Sequence, residues 1–271
     1  MTAHRTAAHR MTASSGAATS RSAATLHVAN LTVRYGGVMA VHDVSLDVAA
    51  GSIAGLIGPN GAGKTTFIDC LSGFTPAASG RIELDGEPID DLAAHERARQ
   101  GMVRTFQSLE LFDDLTVREN LLVPATPPRR GSFLADLLGT RAGEPEIVGE
   151  VVGRLRLDDV IDRRPDELSN GQRHMVALAR ALVARPRVLL LDEPAAGLDT
   201  RETAALAEVL RGLPDSGVTV LLVDHDMSVV LGVCDTVHVL DFGGLIASGP
   251  PVQIRHDPMV ISAYLGTQGP A

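Results

Sequence analysis

Residues 58–65 read Gly-Pro-Asn-Gly-Ala-Gly-Lys-Thr, directly after an apolar run at 52–57. No other stretch restricts the possible folds as tightly. The pattern G-x-x-x-x-G-K-[ST] between a buried strand and a helix bends the chain so that successive N–H groups face one concavity, which suits phosphate oxygens. The helix that follows adds the positive end of its dipole. A strand feeding such a turn and then a helix belongs to a parallel sheet wrapped by helices, so the expected class is α/β. Lys64 is expected on the β- and γ-phosphates and the Thr65 hydroxyl on Mg²⁺. Composition sharpens this: among 24 basic residues, Lys64 is the single lysine. A compact ammonium on a flexible stem and a guanidinium are not interchangeable in a tight phosphate loop.

The remaining patterns agree with that class. Leu26, Val28, Leu31 and Val33, then Val41, Val44, Leu46 and Val48, read as two half-buried antiparallel strands joined across Gly36-Gly37. Residues 81–84 followed by Asp85-Gly86 signal a hairpin. A short helix is expected over 92–100, stopped by Gly101. Thr116-Val117-Arg118-Glu119 is a capping box opening a helix through Leu122. Residues 124–146, with prolines at 124, 127, 128 and 145, read as a variable loop region, and helices resume near Ile147 and after Ser169. Beyond Arg187, strands at 188–191, 218–223 and 237–247 alternate with helices at 201–211 and near 227–233.

A net charge of −9 argues against nucleic acid as the main partner, which normally demands a basic surface. Cys70 and Cys234 have no metal-type spacing and read as buried thiols in a reducing compartment. No window reaches the roughly 18 uninterrupted apolar residues that a membrane span needs, so the chain is not expected to cross a bilayer. Residues 1–25 carry Ala, Ser, Thr, Arg and His with neither acid nor apolar block. That composition overlaps with a transit peptide, but the reading is a disordered extension, with Met11 as an alternative start.

Two further motifs carry chemistry. The apolar run 188–191 ends in Asp192-Glu193, and the carboxyl edge of such a strand is where α/β sheets bind ligands. Asp192 is expected to hold the metal through water, and Glu193 to orient or activate the attacking water as general base. Leu168-Ser169-Asn170-Gly171-Gln172 starts another Ser-capped helix, with Gln172 at the capping-box position and N–H groups suited to an anion. One chain with two anion seats implies that the second faces another molecule's nucleotide.

That pentapeptide resembles the Leu-Ser-Gly-Gly-Gln signature of ATP-binding cassette (ABC) proteins. Asn170 departs from the usual Gly; Asn tolerates the left-handed backbone region, so function is expected to survive. The resemblance covers 26–266, leaving 267–271 as a tail. It implies a P-loop NTPase core sheet with an antiparallel β-subdomain and an inserted α-helical subdomain at about 108–185. It places Tyr35, before Gly36-Gly37, on adenine. It places Gly58, Pro59, Asn60, Gly61, Ala62, Gly63, Lys64, Thr65 and Thr66 around the phosphates. Gln107 becomes the residue that senses Mg²⁺ and the attacking water, joining Thr65 and Asp192 at the metal. Ser169, Gly171, Gln172 and Asp199 become interface residues toward a second cassette's ATP, and His225 the switch histidine on the γ-phosphate.

Finer features narrow the resemblance. Arg104-Thr105-Phe106-Gln107, Leu111-Phe112, 115–121, 192–198, His225-Asp226-Met227 and Ala263-Tyr264-Leu265-Gly266 look like the first ATPase subunit of branched-chain amino acid importers. The implied partners are a second cassette, identical or paralogous, two integral membrane permease subunits and an extracytoplasmic solute-binding protein. The implied place is the cytoplasmic face of the cell membrane. Related ATPases for urea, amides or lipopolysaccharide are the alternatives, although the lipopolysaccharide-export form usually lacks Thr-Phe-Gln. Soluble cassette ATPases acting on DNA or ribosomes need long coiled coils or two cassettes per chain, and neither is present.

Overall fold

The computed structural model describes residues 24–125 and 145–266. Most of the expected extension, the greater part of the proline-bearing stretch and the tail after 266 lie outside the described residues. The first sheet has four antiparallel strands in the order β2-β1-β4-β5. They are β1 (Ala24–Tyr35), β2 (Val38–Ala49), β4 (Ser79–Leu84) and the two-residue β5 (Glu87–Pro88). Strand β1 therefore begins two residues inside the stretch read as extension. The apolar positions of β1 step by two, three and two, and those of β2 by three, two and two. Strict alternation would put half of them in water. Register shifts between Val28 and Leu31 and between Leu31 and Val33 absorb the odd steps. Asn30 and Asp43 take left-handed φ there and are joined by an Asn30 Nδ2 to Asp43 Oδ1 hydrogen bond of 2.8 Å. The bulges keep all eight apolar side chains on the buried face.

The second sheet has six strands in the order β10-β9-β3-β8-β7-β6. These are β3 (Ile53–Ile57), β6 (Met102–Arg104), β7 (Val188–Asp192), β8 (Thr219–Val223), β9 (Thr236–Asp241) and β10 (Gly244–Gly249). All neighbours are parallel except the β9–β10 hairpin. Strands β7 and β8 are apolar at nearly every position because both faces are covered. Leu189, Leu191, Val220 and Leu222 point into one core, and Val188, Leu190, Leu221 and Val223 into the other. The second of these cores also takes the inner face of the four-stranded sheet and Phe67, Ile68, Cys70 and Leu71 of α1 (Lys64–Leu71).

The sequence-expected helices appear with small changes of length. They are α2 (Ala94–Arg99), α3 (Val117–Ala125), α4 (Glu146–Leu155), α5 (Asn170–Val183), α6 (Thr200–Arg211) and α7 (Met227–Val233). Helix α3 runs past the expected Leu122, with Pro124 inside it. Helices α3, α4 and α5 join through Val117, Leu121, Val148, Val152 and Val176. Among the described residues, the sequence did not anticipate β6, three residues long, or the helices α8 (Pro251–His256) and α9 (Pro258–Gly266). The two cysteines are buried and free, as read from their spacing. Among the described residues, no helix is long and apolar enough to cross a membrane.

Candidate nucleotide site

The parallel register decides where the motifs meet. Strands β3, β8, β7 and β6 lie side by side and end at the same edge. Their carboxyl ends deliver, in that spatial order, the glycine loop, Asp224-His225, Asp192-Glu193 and Arg104 to Gln107. This edge is where open α/β sheets bind ligands.

The glycine loop is wedged between neighbours that admit no side chain at two of its positions. A Cβ on Gly58 would lie 2.1 Å from the Leu240 carbonyl oxygen, and one on Gly63 would lie 2.4 Å from that of Ala40. The β9–β10 turn closes the wedge: Gly243 N–H donates to Ala62 O at 3.0 Å. Gly61 differs, for a Cβ there would meet nothing within 4 Å. The loop is therefore pinned from behind and open in front. Gly63 starts α1 without a side-chain cap, so the N–H groups of the first turn are left for an exogenous acceptor. The Lys64 ammonium, 7% exposed, donates to the Gly58 and Pro59 carbonyls at 2.7 and 3.1 Å. Burial holds it below the usual lysine value, opposed by the charges of Glu193, Asp192 and Asp224. An open nest, an uncapped helix start and one buried ammonium fit a polyphosphate. The hydroxyl of Thr65 in the first turn and the Asp192 carboxylate are the hard oxygen donors that suit Mg²⁺.

Beside the nest, three residues separated widely in sequence converge. Gln107 Nε2 donates to Glu193 Oε2 at 3.0 Å, and His225 Nδ1 lies 3.5 Å from Glu193 Oε1. Glu193 itself holds a left-handed φ of 46°, a strained state for a non-glycine residue that persists where the surroundings enforce it. Its N–H is fixed by the Val223 carbonyl of the neighbouring strand at 2.7 Å. Asp224, whose side chain is 1% exposed, sits 3.7 Å from His225 Nδ1, and burial pushes its carboxyl above the ordinary range.

Sequence reasoning did not single out Arg104. Its guanidinium, 7% exposed, donates to Asp192 Oδ2 at 2.8 Å, to Asp69 Oδ1 at 2.6 Å and to Ser72 Oγ at 3.0 Å. It also stacks 5.0 Å from the centre of Phe106. Nothing in composition separates it from the other arginines; the signal is its place at the end of a three-residue strand. Tyr264, on α9 in the Ala263–Gly266 ending to which the sequence reading gave no site role, also reaches the glycine loop. Burial pushes its phenol up to about 12, against the pull of the Gly58 backbone N–H.

The signature loop lies in a second cluster. Ser169 Oγ accepts from Gln172 N–H at 3.2 Å and Gln172 Oε1 from Ser169 N–H at 2.9 Å, the expected reciprocal cap. Asp199 caps α6 with Glu202 in the same manner. The two caps are stitched together: Gly171 N–H donates to Glu202 Oε1 at 2.9 Å and Asn170 Nδ2 to the Gly197 carbonyl at 2.8 Å. Asn170 is the first residue of α5 and has no left-handed φ, and its side chain bridges two loops instead. The Gly171 N–H is thus taken by the Glu202 carboxylate. Tyr35, half exposed at the end of β1, places its hydroxyl 3.2 Å from Thr75 Oγ1.

A phosphate cradle and a separate exposed loop pair, both on one chain, are how an ATP-binding cassette is organised. Residues 41–196 match the family model for ABC transporters, and residues 245–269 match that of the branched-chain amino acid ATP-binding cassette transporter. The chain is 43% identical over 248 residues to the high-affinity branched-chain amino acid transport ATP-binding protein BraF of Pseudomonas aeruginosa, covering 89% of this chain and 97% of that protein. The solved ADP conformation of MJ1267, an ATP-binding cassette of an ABC transporter, superposes with a TM-score of 0.79 at 30% identity, covering 90% of this chain and 99% of that one. A dimeric post-hydrolysis state of the cassette MJ0796, bound to ADP and Pi, gives 0.70 at 25% identity, covering 83% and 98%. The chain belongs to the ABC transporter family and is one of its nucleotide-binding ATPases.

Proposed function

We propose that this cassette powers import of branched-chain or other hydrophobic amino acids, as one of two ATPases docked under a pair of membrane permeases. The match of residues 245–269 to the branched-chain cassette model carries the substrate class. The partners in this reading are a second cassette, identical or paralogous, two permease subunits and an extracytoplasmic binding protein. The location is the cytoplasmic face of the membrane.

The unit runs from 26 to 266, with a helical subdomain at about 108–185 that meets the permeases. Lys64 and the N–H groups of 58–66 take up the triphosphate, and Tyr35 stacks on the base. Thr65, Gln107 and Asp192 would hold Mg²⁺, which would supply positive charge to offset that of the phosphates. Glu193 takes the proton of the attacking water, with Gln107 and His225 orienting its two oxygens at 3.0 and 3.5 Å. Ser169, Gly171, Gln172 and Asp199 face the ATP of the opposing cassette. Closure follows because ATP binds both halves of the closed pair, a differential affinity that shifts a two-state equilibrium.

The observation that carries the mechanism is the Gln107–Glu193–His225 chain beside Lys64. Glu193→Gln should lower ATP turnover by about 10² to 10⁴ while leaving ATP binding intact, so that an ATP-bound dimer accumulates on size-exclusion chromatography. Unchanged turnover in that variant would remove Glu193 from the role of base.

A further inference from the structure

We infer that Arg104 is a positioning residue for the metal end of the site, holding the Asp192 carboxylate at a set distance and orientation from Thr65. This rests on the reading of Thr65 and Asp192 as the groups that hold magnesium. Thr65 and Asp69 are four residues apart on α1 and so share one face of the helix. Asp69 and Ser72 grip one arm of the Arg104 guanidinium, at 2.6 and 3.0 Å, and Asp192 Oδ2 takes the other at 2.8 Å. A guanidinium is a planar fork whose two arms cannot rotate independently. The helix that carries Thr65 and the strand that carries Asp192 are thereby cross-braced through one rigid group.

The same guanidinium lies over the rings of Phe106 and Phe74, at 5.0 and 5.9 Å, and those rings meet edge-to-face at 5.6 Å. Phe106 immediately precedes Gln107. The brace therefore also ties the Asp192 carboxylate to the segment that reaches Glu193. A lysine keeps the charge but has neither fork nor planar face, so it cannot reproduce the brace.

Calorimetric titration of ATP, with magnesium and with EDTA, tests this on the purified chain. Arg104→Lys should weaken magnesium-ATP binding by about 10- to 100-fold, the usual loss when a group behind a metal ligand is removed. Binding in EDTA should stay within about twofold of wild type, since Lys64 and the glycine nest are untouched. Asp69→Asn, which leaves the Asp192 contact in place, should lose a smaller part of the magnesium enhancement. Equal losses with and without magnesium would mark Arg104 as merely structural and overturn the inference, as would no loss in either variant. If Arg104→Lys does not fold, Asp69→Asn decides alone: a magnesium-specific loss supports the brace and its absence refutes it. Wild-type binding indifferent to magnesium would instead sink the reading of Thr65 and Asp192.

Discussion

Replacing Gly63 by alanine and comparing it with the same change at Gly61 isolates the packing behind the phosphate loop. Both residues have positive φ, 100° and 81°, so each alanine bears a left-handed penalty of about 1 to 2 kcal/mol. Only the surroundings differ. At Gly63 the new Cβ would sit 2.4 Å from the Ala40 carbonyl and 3.5 Å from Gly243 Cα, and both are backbone that cannot turn aside. At Gly61 it would meet nothing within 4 Å. Forcing a methyl group into a closed space costs about a further 1 to 3 kcal/mol. Gly63→Ala should therefore melt about 2 to 12 °C below Gly61→Ala, at the roughly 2 to 4 °C per kcal/mol usual for a chain of this size. Differential scanning fluorimetry in nucleotide-free buffer reads the difference directly. Equal melting temperatures would refute the claim that β2 and the β9–β10 turn clamp the loop from behind.

Other expectations follow from buried titratable groups. His238, 3% exposed on β9 with Ser248 Oγ 2.9 Å from its Nδ1, has its pKa lowered by burial, partly offset by Asp47. The native state then binds fewer protons than the unfolded chain. Its contribution is complete above the unfolded value of about 6.5 and is lost as pH falls through the lower native value. Urea midpoints at pH 7.5 and 5.5 should differ more for wild type than for His238→Leu; parallel behaviour of the two proteins would count against it. Burial pushes the thiols of Cys70 and Cys234 up to about 11 and about 12. The reactive thiolate is then about a thousandth or less of each at pH 8. Iodoacetamide should label neither until denaturant is added, and rapid native labelling would contradict the burial of both.

Local patterns in this chain were enough for most features whose cause spans a few residues. The glycine loop, the paired three-residue steps of β1 and β2, and the Ser169 and Thr116 caps each arise from backbone geometry over less than two turns. The odd steps were visible in the sequence, but their resolution as bulges at Asn30 and Asp43 needed the partner strand. Strand β6 escaped notice because three residues show no period, and it exists only through its parallel pairing with β7. Without it, Arg104 would not stand at the same edge as Asp192.

The sequence by itself determined that residues 58–65 form a glycine loop suited to phosphate and that a parallel sheet presents the acids at 192 and 193. The tertiary structure alone decided which side chains act together. Arg104 and Asp192 are 88 residues apart and Gln107 and Glu193 are 86 apart, yet each pair is in hydrogen-bond contact. The same holds for Asn170 and Gly197, 27 apart. Those contacts depend on strand order and register, which follow from how two cores close over both faces of one sheet rather than from any local preference.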